Sequence, residues 1–480
     1  MYYINRFNTI YCLFSMDNNM DNTLNNGEIF KQAMQLQAVV NIGMIGHVAN
    51  GKSTTTRCLT GISTQKHKSE LARNITIRLG YANAKIYKCD KCVNPECYQS
   101  VSSTIMEHEC DHCGSNTELL IHYSIVDCPG HHDFMNVMLN GTAVMDYAML
   151  VESVSNKEFP APQTIEHFSI TNEMGIPVKV AILNKVDLLL KSKKKIPERM
   201  AILQDFVGDN IPVIPVSGSL DCNIDILTHY ISTFDIPNKD LDSNIKMVVI
   251  RSFNTNVPGT SIQNLKGGVL GGSIIKGIMR IGDIVSIYPG LIMSTKNANK
   301  KEEQWKYAPL QATVKSINSE KNSLEFAVPG GLIGVQLDID PGLTCDDKLV
   351  GQVVHKVTEN MSHVKVYEAI RVDYFKLSGF DDIFLKHPNI VAQMDLSCID
   401  EDGSTKKFML RKTSKIFINV NSNKINCTIY KIKSDNMMIM LDKPICADID
   451  DKIAINVIIG DTSHIFGHGI IKDGMESIKI

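Results

Sequence analysis

The sequence predicts an α/β nucleotide-binding domain followed by two β-barrel domains, and three observations carry this prediction. Apolar, strand-like runs alternate with helix-length segments from residue 38 to about residue 233, as in a parallel sheet with helices on both faces. A glycine-bracketed loop follows the first of these runs. From about residue 245 onward, short strand-like runs are separated by Gly and Pro and show no helical period, which is typical of closed barrels.

The loop from Gly46 to Thr54 fits the pattern GxxxxGK[ST] and follows the apolar run Val40 to Ile45. Such a loop points backbone N–H groups at phosphates, while Lys52 places a positive charge near the β- and γ-phosphates and Ser53 offers a hydroxyl to Mg²⁺. The following helix presents its positive end to the same anion. Because so short a pattern also matches by chance, an ordinary strand–turn–helix is an alternative that the context must decide.

Three further motifs favour a nucleotide-binding loop over an ordinary strand–turn–helix, because each follows a predicted strand. Asp127 to Gly130 places a carboxylate where it can hold Mg²⁺ through water, and a glycine N–H near the γ-phosphate. Asn184 to Asp187 fits NKxD, in which the carboxylate accepts from two ring N–H donors of guanine that adenine lacks. Ser217-Gly218 can present an N–H to the guanine O6. The sequence therefore predicts a P-loop GTPase domain that binds GTP or GDP through Ala49, Asn50, Gly51, Lys52, Ser53, Thr54, Asp127, Gly130, Asn184, Lys185, Val186, Asp187, Ser217, Gly218 and Ser219.

The interval between the phosphate loop and Asp127 is expected to carry the segment that the γ-phosphate orders. In GTPases a threonine hydroxyl of this segment binds Mg²⁺ together with the loop hydroxyl. Thr76 is our candidate for this role, beside Ser53. Thr64 is the alternative, but it lies close to the first helix.

Two CxxC pairs predict a zinc-knuckle insertion over residues 89–113. Cys89 and Cys92 form one pair and Cys110 and Cys113 the other, with seventeen residues between the pairs, a spacing typical of a tetrahedral Cys₄ site. We favour these four ligands over the nearby competitors, which are Cys97, His108 and His112. A Cys₄ ion leaves no position open to water or substrate, so the zinc is expected to be structural.

The composition narrows the function class and the compartment. The net charge of −3 over 480 residues gives no global basic field, so a nucleic-acid partner must be held by a local patch or by shape. No run of about 18 apolar residues suggests a membrane span. We expect no signal peptide, because Asn5, Arg6 and Asn8 interrupt the first apolar residues. Clustered cysteines in a nucleotide-binding chain favour a reducing compartment, so we expect a cytoplasmic protein.

Four segments follow from these patterns. Residues 1–37 are expected to be a disordered extension because residues 16–35 are rich in Asn and Asp, with Met16 and Met20 as alternative starts. Residues 38–240 are expected to form the GTP-binding domain. Residues 245–362 and 364–480 are expected to form the two barrels, with no assignment for the interior from Gly379 to Lys407.

With these motifs in hand, the chain resembles the gamma subunits of eukaryotic and archaeal translation initiation factor 2, relatives of elongation factor Tu. The resemblance covers nearly everything after residue 38. Besides the CxxC pairs, its most specific stretches are Gly46 to Thr54, Arg73 to Cys89, Asp127 to His131, Pro160 to His167 and Gly271 to Gly277.

The resemblance implies a factor that, with GTP bound, carries methionyl initiator tRNA to the small ribosomal subunit. It implies a heterotrimer with alpha and beta subunits, and activating and nucleotide-exchange proteins as further partners. His131 resembles the histidine that translation GTPases turn toward the attacking water, with His132 as a competitor and a merely polar switch residue as the alternative role. Val48 resembles one side of the apolar gate that restrains this histidine.

Two departures from the wider family change the expected chemistry. Ala49 stands where many translation GTPases carry Asp, so a carboxylate near Mg²⁺ is missing. We expect slow intrinsic hydrolysis and dependence on an activating protein, whose arginine contributes about 10³-fold or more in GTPase pairs. Asn50 replaces a frequent His and is expected to alter only hydrogen bonding in the loop.

For tRNA, the family arrangement puts the acceptor end between the nucleotide domain and the first barrel. Tyr81 is expected to stack on the terminal base, with a core tyrosine as an equally weighted alternative. Two other functions stay open at this stage. One is a GTP-binding scaffold with vestigial hydrolysis, and the other is the GTPase subunit of a sulfate-activating enzyme, which the Cys₄ insertion disfavours.

Overall fold

The computed structural model describes eleven stretches of the chain. They are residues 26–65, 70, 76–131, 134–192, 195–296, 303–359, 361–378, 380–381, 399–402, 405–460 and 462–480. Among their helices, none has both the length and the apolar character needed to cross a membrane.

A seven-stranded sheet forms the centre of the first domain, in the order β3-β2-β4-β1-β5-β6-β7. The strands are β1 (Val40–Ile45), β2 (Gly80–Lys88), β3 (Tyr98–Ser102), β4 (Glu118–Asp127), β5 (Tyr147–Ser153), β6 (Val178–Asn184) and β7 (Val213–Pro215). The helices are α1 (Asn26–Leu36), α2 (Lys52–Thr60), α3 (Met135–Thr142), α4 (Pro162–Glu173), α5 (Lys195–Val207) and α6 (Ile224–Ser232), with a 3₁₀ helix at Val186–Ser192.

Strand β1 lies in the middle of this sheet, parallel to β4 and β5, and all of its residues are buried. Burial on both faces is what a sheet covered by helices requires. The sheet departs from the predicted parallel arrangement at one edge, where β2 runs antiparallel to β4 and β3 antiparallel to β2. The carboxyl ends of β1, β4 and β6 meet at one edge, so the phosphate, DCPG and NKxD motifs converge there.

The predicted disorder of residues 1–37 is wrong for Asn26–Leu36, which form helix α1. Residues 1–25 lie outside the described residues. Ala33 is buried in the core under β1, and Ile29, Phe30 and Met34 pack against that core. These apolar residues recur at helical spacing and face the sheet, so burial rather than local composition orders the segment.

The first barrel closes through six strands in the order β11-β16-β8-β9-β15-β12, with β12 paired back to β11. Alternate residues of β15 are buried, as expected for a strand with one face in the barrel interior. The strands of this unit are β8 (Lys246–Phe253), β9 (Val269–Lys276), β10 (Met279–Arg280), β11 (Ile284–Lys296), β12 (Glu303–Ser319), β13 (Asn322–Leu324), β14 (Phe326–Ala327), β15 (Gly330–Leu337) and β16 (Val353–Lys356). Short 3₁₀ turns lie at Ile262–Asn264, Pro341–Leu343 and Cys345–Asp347.

The second barrel closes in the order β17-β22-β21-β20-β23-β24, and both barrels confirm the predicted fold class. A separate ribbon, β18 with β19, occupies part of the segment that the sequence left unassigned. The final strand, β25, pairs with β12 of the first barrel. The strands are β17 (Val366–Lys376), β18 (Ile399–Asp402), β19 (Thr405–Phe408), β20 (Ile416–Val420), β21 (Asn423–Ile432), β22 (Asn436–Cys446), β23 (Lys452–Ile459), β24 (Thr462–Glu476) and β25 (Ile478–Lys479).

Polar contacts join the three units to one another. Gln37 Nε2 donates to Val328 O at 2.7 Å and joins the first domain to the first barrel. Asn419 Nδ2 donates to Asn140 Oδ1 at 2.9 Å and joins the second barrel to α3. Lys246 Nζ donates to Asp448 Oδ2 at 2.7 Å and joins the two barrels.

Candidate functional site

The phosphate loop needs its glycines because its backbone passes close to neighbouring strands. Gly46 has φ 134°, and a Cβ there would lie 2.2 Å from the Val151 carbonyl oxygen. Gly51 has φ 96°, and a Cβ there would lie 2.2 Å from Asn184 Nδ2. A larger residue at either position would therefore be strained and would also clash. Ala49, with φ 59°, is a non-glycine residue in the left-handed region of the same loop.

The Lys52 ammonium lies inside the loop. Its Nζ donates to the carbonyl oxygens of Gly46 and His47, each at 2.8 Å. Burial lowers the pKa of Lys52 to about 8, although the charges of Asp127 and Glu152 act in the opposite direction. Among the described residues, no carboxylate forms an ion pair with this ammonium. A buried cation at the start of a helix is suited to an anionic ligand.

The two hydroxyls predicted to bind Mg²⁺ lie side by side. Ser53 Oγ is 2.9 Å from Thr76 Oγ1. The alternative, Thr64, donates instead to Asp127 Oδ2 at 2.6 Å. The other carboxylate oxygen of Asp127 is buried and has no hydrogen-bond partner among the described residues. Burial raises the pKa of Asp127, and the Ser53 and Thr64 hydroxyls oppose that shift. A hydrated divalent cation would satisfy the unpaired oxygen, so this residue set fits Mg²⁺.

The guanine motifs meet on the other side of the loop. Asn184 Oδ1 accepts from the N–H groups of Lys185 (2.8 Å) and Gly218 (3.2 Å). Ser217 Oγ donates to Asp187 Oδ1 at 2.6 Å and lies 3.2 Å from Ser219 Oγ. These bonds fix the orientation of the carboxylate that would read the base.

A cavity of about 170 Å³ lies within this arrangement and is open to solvent. It brings together the phosphate-loop residues, the two hydroxyls predicted to bind Mg²⁺, Lys185 of the NKxD motif and Val48 of the predicted gate, whereas Asp127, Asn184 and Asp187 do not line it. Its lining comprises Val48, Ala49, Gly51, Lys52, Ser53, Thr54, Gln65, Thr76, Gly130 and Lys185.

Helix α4 supplies loop contacts that the sequence analysis missed. Thr164 Oγ1 accepts from the N–H of His47 (3.2 Å), and His167 Nδ1 accepts from the N–H of Gly46 (3.1 Å). Burial lowers the pKa of His167 to about 3, which keeps the imidazole neutral and able to accept. In the sequence, the stretch that contains both residues supports only the family resemblance. The signal for a contact with the loop is a threonine and a histidine three residues apart on one helix face.

His131 lies just beyond a close approach between the DCPG motif and the loop. A Cβ at Gly130 would lie 2.5 Å from Lys52 Nζ and 2.7 Å from Val48 N, so glycine allows the motif to touch the loop. The His131 ring centroid is 5.9 Å from that of Phe134. His132, the competing histidine, lies outside the described residues.

The four predicted zinc ligands form one cluster, with all sulfur atoms within 4.8 Å of one another. The Sγ atoms of Cys89 and Cys113 are 3.5 Å apart, and those of Cys92 and Cys110 are 3.6 Å apart. Metal–sulfur bonds of ~2.3 Å in a tetrahedron require sulfur separations of about 3.8 Å, so the cluster fits zinc.

The competing ligands are outside this four-sulfur cluster. His108 Nε2 lies 2.7 Å from Gln99 Oε1, and Gln99 Nε2 donates to Cys110 Sγ at 3.2 Å. Such a donor to a ligand sulfur orients and stabilises the thiolate. Cys97 is buried beside the cluster without joining it.

Tyr81, on β2, borders a second cavity of about 610 Å³ between the first domain and the first barrel. Its hydroxyl is buried and lacks a hydrogen-bond partner among the described residues, and burial raises its pKa. Arg251 and Phe253 of the first barrel line the same cavity. Tyr81 therefore has both a core environment and a position at the edge of an interdomain groove.

Comparison with known proteins identifies the family. Residues 37–237 match the family model "Elongation factor Tu GTP binding domain", and residues 397–471 match "Initiation factor eIF2 gamma, C terminal". Eukaryotic translation initiation factor 2 subunit gamma of Encephalitozoon cuniculi (strain GB-M1) is 40% identical over 449 residues, which cover 92% of this chain and 94% of that protein. The chain belongs to the initiation factor 2 gamma family. The Schizosaccharomyces pombe subunit is 38% identical over 450 residues, covering 92% and 96%.

Membership in the initiation factor 2 gamma family makes this chain a GTPase of translation initiation. It confirms the resemblance drawn from the motifs and decides against the sulfate-activating alternative. The fold extends further, to factors that share little sequence. Bacterial selenocysteine-specific elongation factor EF-Sec matches with a TM-score of 0.62 at 19% identity, over 90% of this chain and 58% of that longer chain. Elongation factor SelB of Methanococcus maripaludis, in complex with GppNHp, matches with a TM-score of 0.58 at 18% identity, over 91% and 79%.

Proposed function

We propose that this GTPase, with GTP bound, carries methionyl initiator tRNA to the small ribosomal subunit. The observation that carries the proposal is that one short segment connects the nucleotide cradle to the interdomain groove. Thr76 contacts Ser53 in the cradle, and Tyr81, five residues later, lines the groove against the first barrel. A change in the cradle that moves Thr76 therefore acts directly on the strand that borders the groove.

The chemistry of the groove suits the end of an aminoacylated tRNA. Tyr81 and Phe253 offer aromatic faces for unpaired bases, and Lys321 offers positive charge for the backbone, as does Arg251, whose guanidinium also pairs with Asp347. Ile250 and Ile333 add apolar surface. A methionyl-adenosine end combines an apolar side chain, a base and phosphates, so it matches the apolar, aromatic and basic parts of this lining.

In the cradle, we propose that Ser53 and Thr76 bind Mg²⁺ directly and that Asp127 holds it through water. The close pair of hydroxyls and the unpaired Asp127 oxygen support this assignment. The nucleotide would be bound by Ala49 to Thr54, Asp127, Gly130, Asn184 to Asp187 and Ser217 to Ser219. His131 is the proposed catalytic residue. Bound Mg²⁺ would neutralise charge on the β- and γ-phosphates.

We further propose slow intrinsic hydrolysis, because Ala49 brings a methyl group to the cavity where many translation GTPases of the wider family have a carboxylate. An activating protein would then control GTP hydrolysis, and a nucleotide-exchange factor would control the replacement of GDP by GTP. The chain would form a heterotrimer with alpha and beta subunits and act in the cytoplasm. The GTP-binding domain would span residues 38–240, and the two barrels would span residues 245–362 and 364–480.

Binding of charged tRNA tests the carrier function. In GTP, methionyl initiator tRNA is expected to bind at least about tenfold more tightly than a charged elongator tRNA in a filter-binding titration. Tyr81→Leu is expected to weaken initiator binding, because stacking contributes about 1–3 kcal/mol per base. Tyr230→Leu, on α6 and remote from the groove, is the matched control. Equal binding of the two tRNAs would overturn the assignment.

We also propose that Cys89, Cys92, Cys110 and Cys113 hold one structural Zn²⁺. Changing Cys89 and Cys110 together to Ser is expected to remove one zinc per chain, measured by elemental analysis, because two remaining thiolates cannot close a tetrahedral site. Cys97→Ser is the matched control and is expected to keep the metal. Full zinc in the double variant would place the ligands elsewhere.

A further inference from the structure

A buried carboxylate lies beneath the phosphate loop and has not been assigned a role. Glu152, on β5, is 0% exposed. Asn50 Nδ2 donates to Glu152 Oε2 at 3.3 Å, Thr164 Oγ1 donates to the same oxygen, and Asn156 Nδ2 donates to Oε1. No ion pair to Glu152 occurs within the described part of the chain. A buried carboxylate without a cation is costly unless hydrogen bonds replace its hydration. Burial raises the pKa of Glu152, and the three side-chain donors, together with the Ala161 backbone, oppose that shift.

The first connection from Glu152 to the loop runs through Asn50. The Asn50 amide nitrogen donates to the Val151 carbonyl (2.7 Å) as well as to Glu152, and its amide oxygen accepts from Asn156 Nδ2 (2.9 Å). All polar atoms of this side chain are therefore satisfied in one orientation. The Asn50 carbonyl accepts from Asn184 Nδ2 at 2.9 Å, so the fixed residue joins the phosphate loop to the guanine motif.

The second connection runs through helix α4. The helix begins after Ala161, which has no side chain to cap it, and Glu152 binds the Thr164 hydroxyl in the first turn. A negative charge at a helix N-terminus is stabilising, so Glu152 stabilises the start of this helix from another element. Thr164 and His167 then hold the N–H groups of the loop at its start.

We propose that Glu152 is a positioning residue for the phosphate loop, acting through Asn50 and Thr164 rather than by contact with the nucleotide. Glu152 fixes Asn50, which is part of the loop, and Thr164, at the start of helix α4. These two contacts hold the loop from two sides and favour one loop conformation. An ionised carboxylate only accepts hydrogen bonds, which matches its three donors. A glutamine would turn an NH₂ group toward one of these donors. Asn50, where relatives frequently have His, fits this site because its amide donates and accepts at once.

Nucleotide release tests this role. Glu152→Gln is expected to release both GDP and GTP about tenfold faster in a stopped-flow chase with fluorescent nucleotides. Thr164→Val removes the connection through helix α4 and is also expected to accelerate release. The double variant is expected to be less than additive, because Glu152→Gln already interrupts the connection through Thr164. Thr171→Val is the matched control: Thr171 is buried on the same helix, and its hydroxyl has no partner among the described residues.

Thermal unfolding, measured in parallel, separates positioning from general stability. Thr171→Val is expected to leave release unchanged, whatever it does to the unfolding midpoint. Release by Glu152→Gln at the wild-type rate, an additive double variant, or equal acceleration by Thr171→Val would each overturn the proposal. Should Glu152→Gln not fold, Asn50→Ala and Asn50→Ala/Thr164→Val are measured instead. Release that is faster in Asn50→Ala and faster still in the double variant supports the role, because the two changes interrupt the two connections. Wild-type release by either variant, or a double variant no faster than Asn50→Ala, contradicts it.

Discussion

Replacing His131 by alanine is expected to abolish the stimulation of GTP hydrolysis by an activating protein while leaving GTP affinity unchanged. His131 follows Gly130, whose backbone lies against Lys52 and Val48 at the phosphate end of the cavity. From there an imidazole can orient or accept a proton from the attacking water. General acid–base groups contribute about 10²–10⁴-fold, so the stimulated rate is expected to fall by at least about 100-fold. Single-turnover hydrolysis with and without the activating protein measures this.

The control for this change is His363→Ala, an exposed histidine between the two barrels. It is expected to hydrolyse GTP like the unmodified protein in both conditions. Normal stimulated hydrolysis by His131→Ala would show that another group orients the water. A loss of GTP binding in the same variant would instead show that the histidine supports the cradle.

Changing Asp187 to asparagine is expected to lower GTP affinity by at least about 100-fold and to transfer preference to xanthosine triphosphate. The Asp187 carboxylate is oriented by the Ser217 hydroxyl at 2.6 Å and would accept from two N–H donors of guanine. An asparagine amide turns a donor toward one of them, and a buried donor without an acceptor is strongly rejected. Xanthine carries a carbonyl in place of the amino group, which restores the pairing. Equilibrium binding of the two nucleotides measures the switch.

Asp205→Asn, an exposed change on α5, is the matched control and is expected to retain GTP preference. Undiminished GTP binding by Asp187→Asn would mean that the base is not read by the NKxD motif.

The nucleotide cradle was predictable because each of its parts is encoded by a short, continuous stretch. Gly46 and Gly51 are required because a Cβ at either position would lie 2.2 Å from a neighbouring atom, and the spacing of the CxxC pairs reflects the geometry of four sulfurs around one point. Such local requirements leave a signature that can be read without the fold. The alternation of apolar runs likewise indicated the layered sheet and the two barrels.

What the sequence did not predict depends on contacts between distant parts of the chain. Helix α1 is ordered by a core that includes Val328, nearly three hundred residues away. The hydrogen bonds that the loop N–H groups donate to His167 and Thr164 span more than one hundred residues. The composition around Asn26 resembles that of a disordered tail, and only the fold shows that its apolar side is covered. The sequence likewise shows Glu152 only as a strand residue, because its three side-chain donors come from other parts of the chain.

In the proposed coupling, the nucleotide in the cradle controls the tRNA groove through the segment from Thr76 to Tyr81. The most direct test is the affinity of methionyl initiator tRNA for the same protein loaded with GTP and with GDP, measured by filter binding at one salt concentration. We predict binding at least about tenfold tighter in GTP, which corresponds to about 1.4 kcal/mol. Equal affinity in the two states would contradict this coupling.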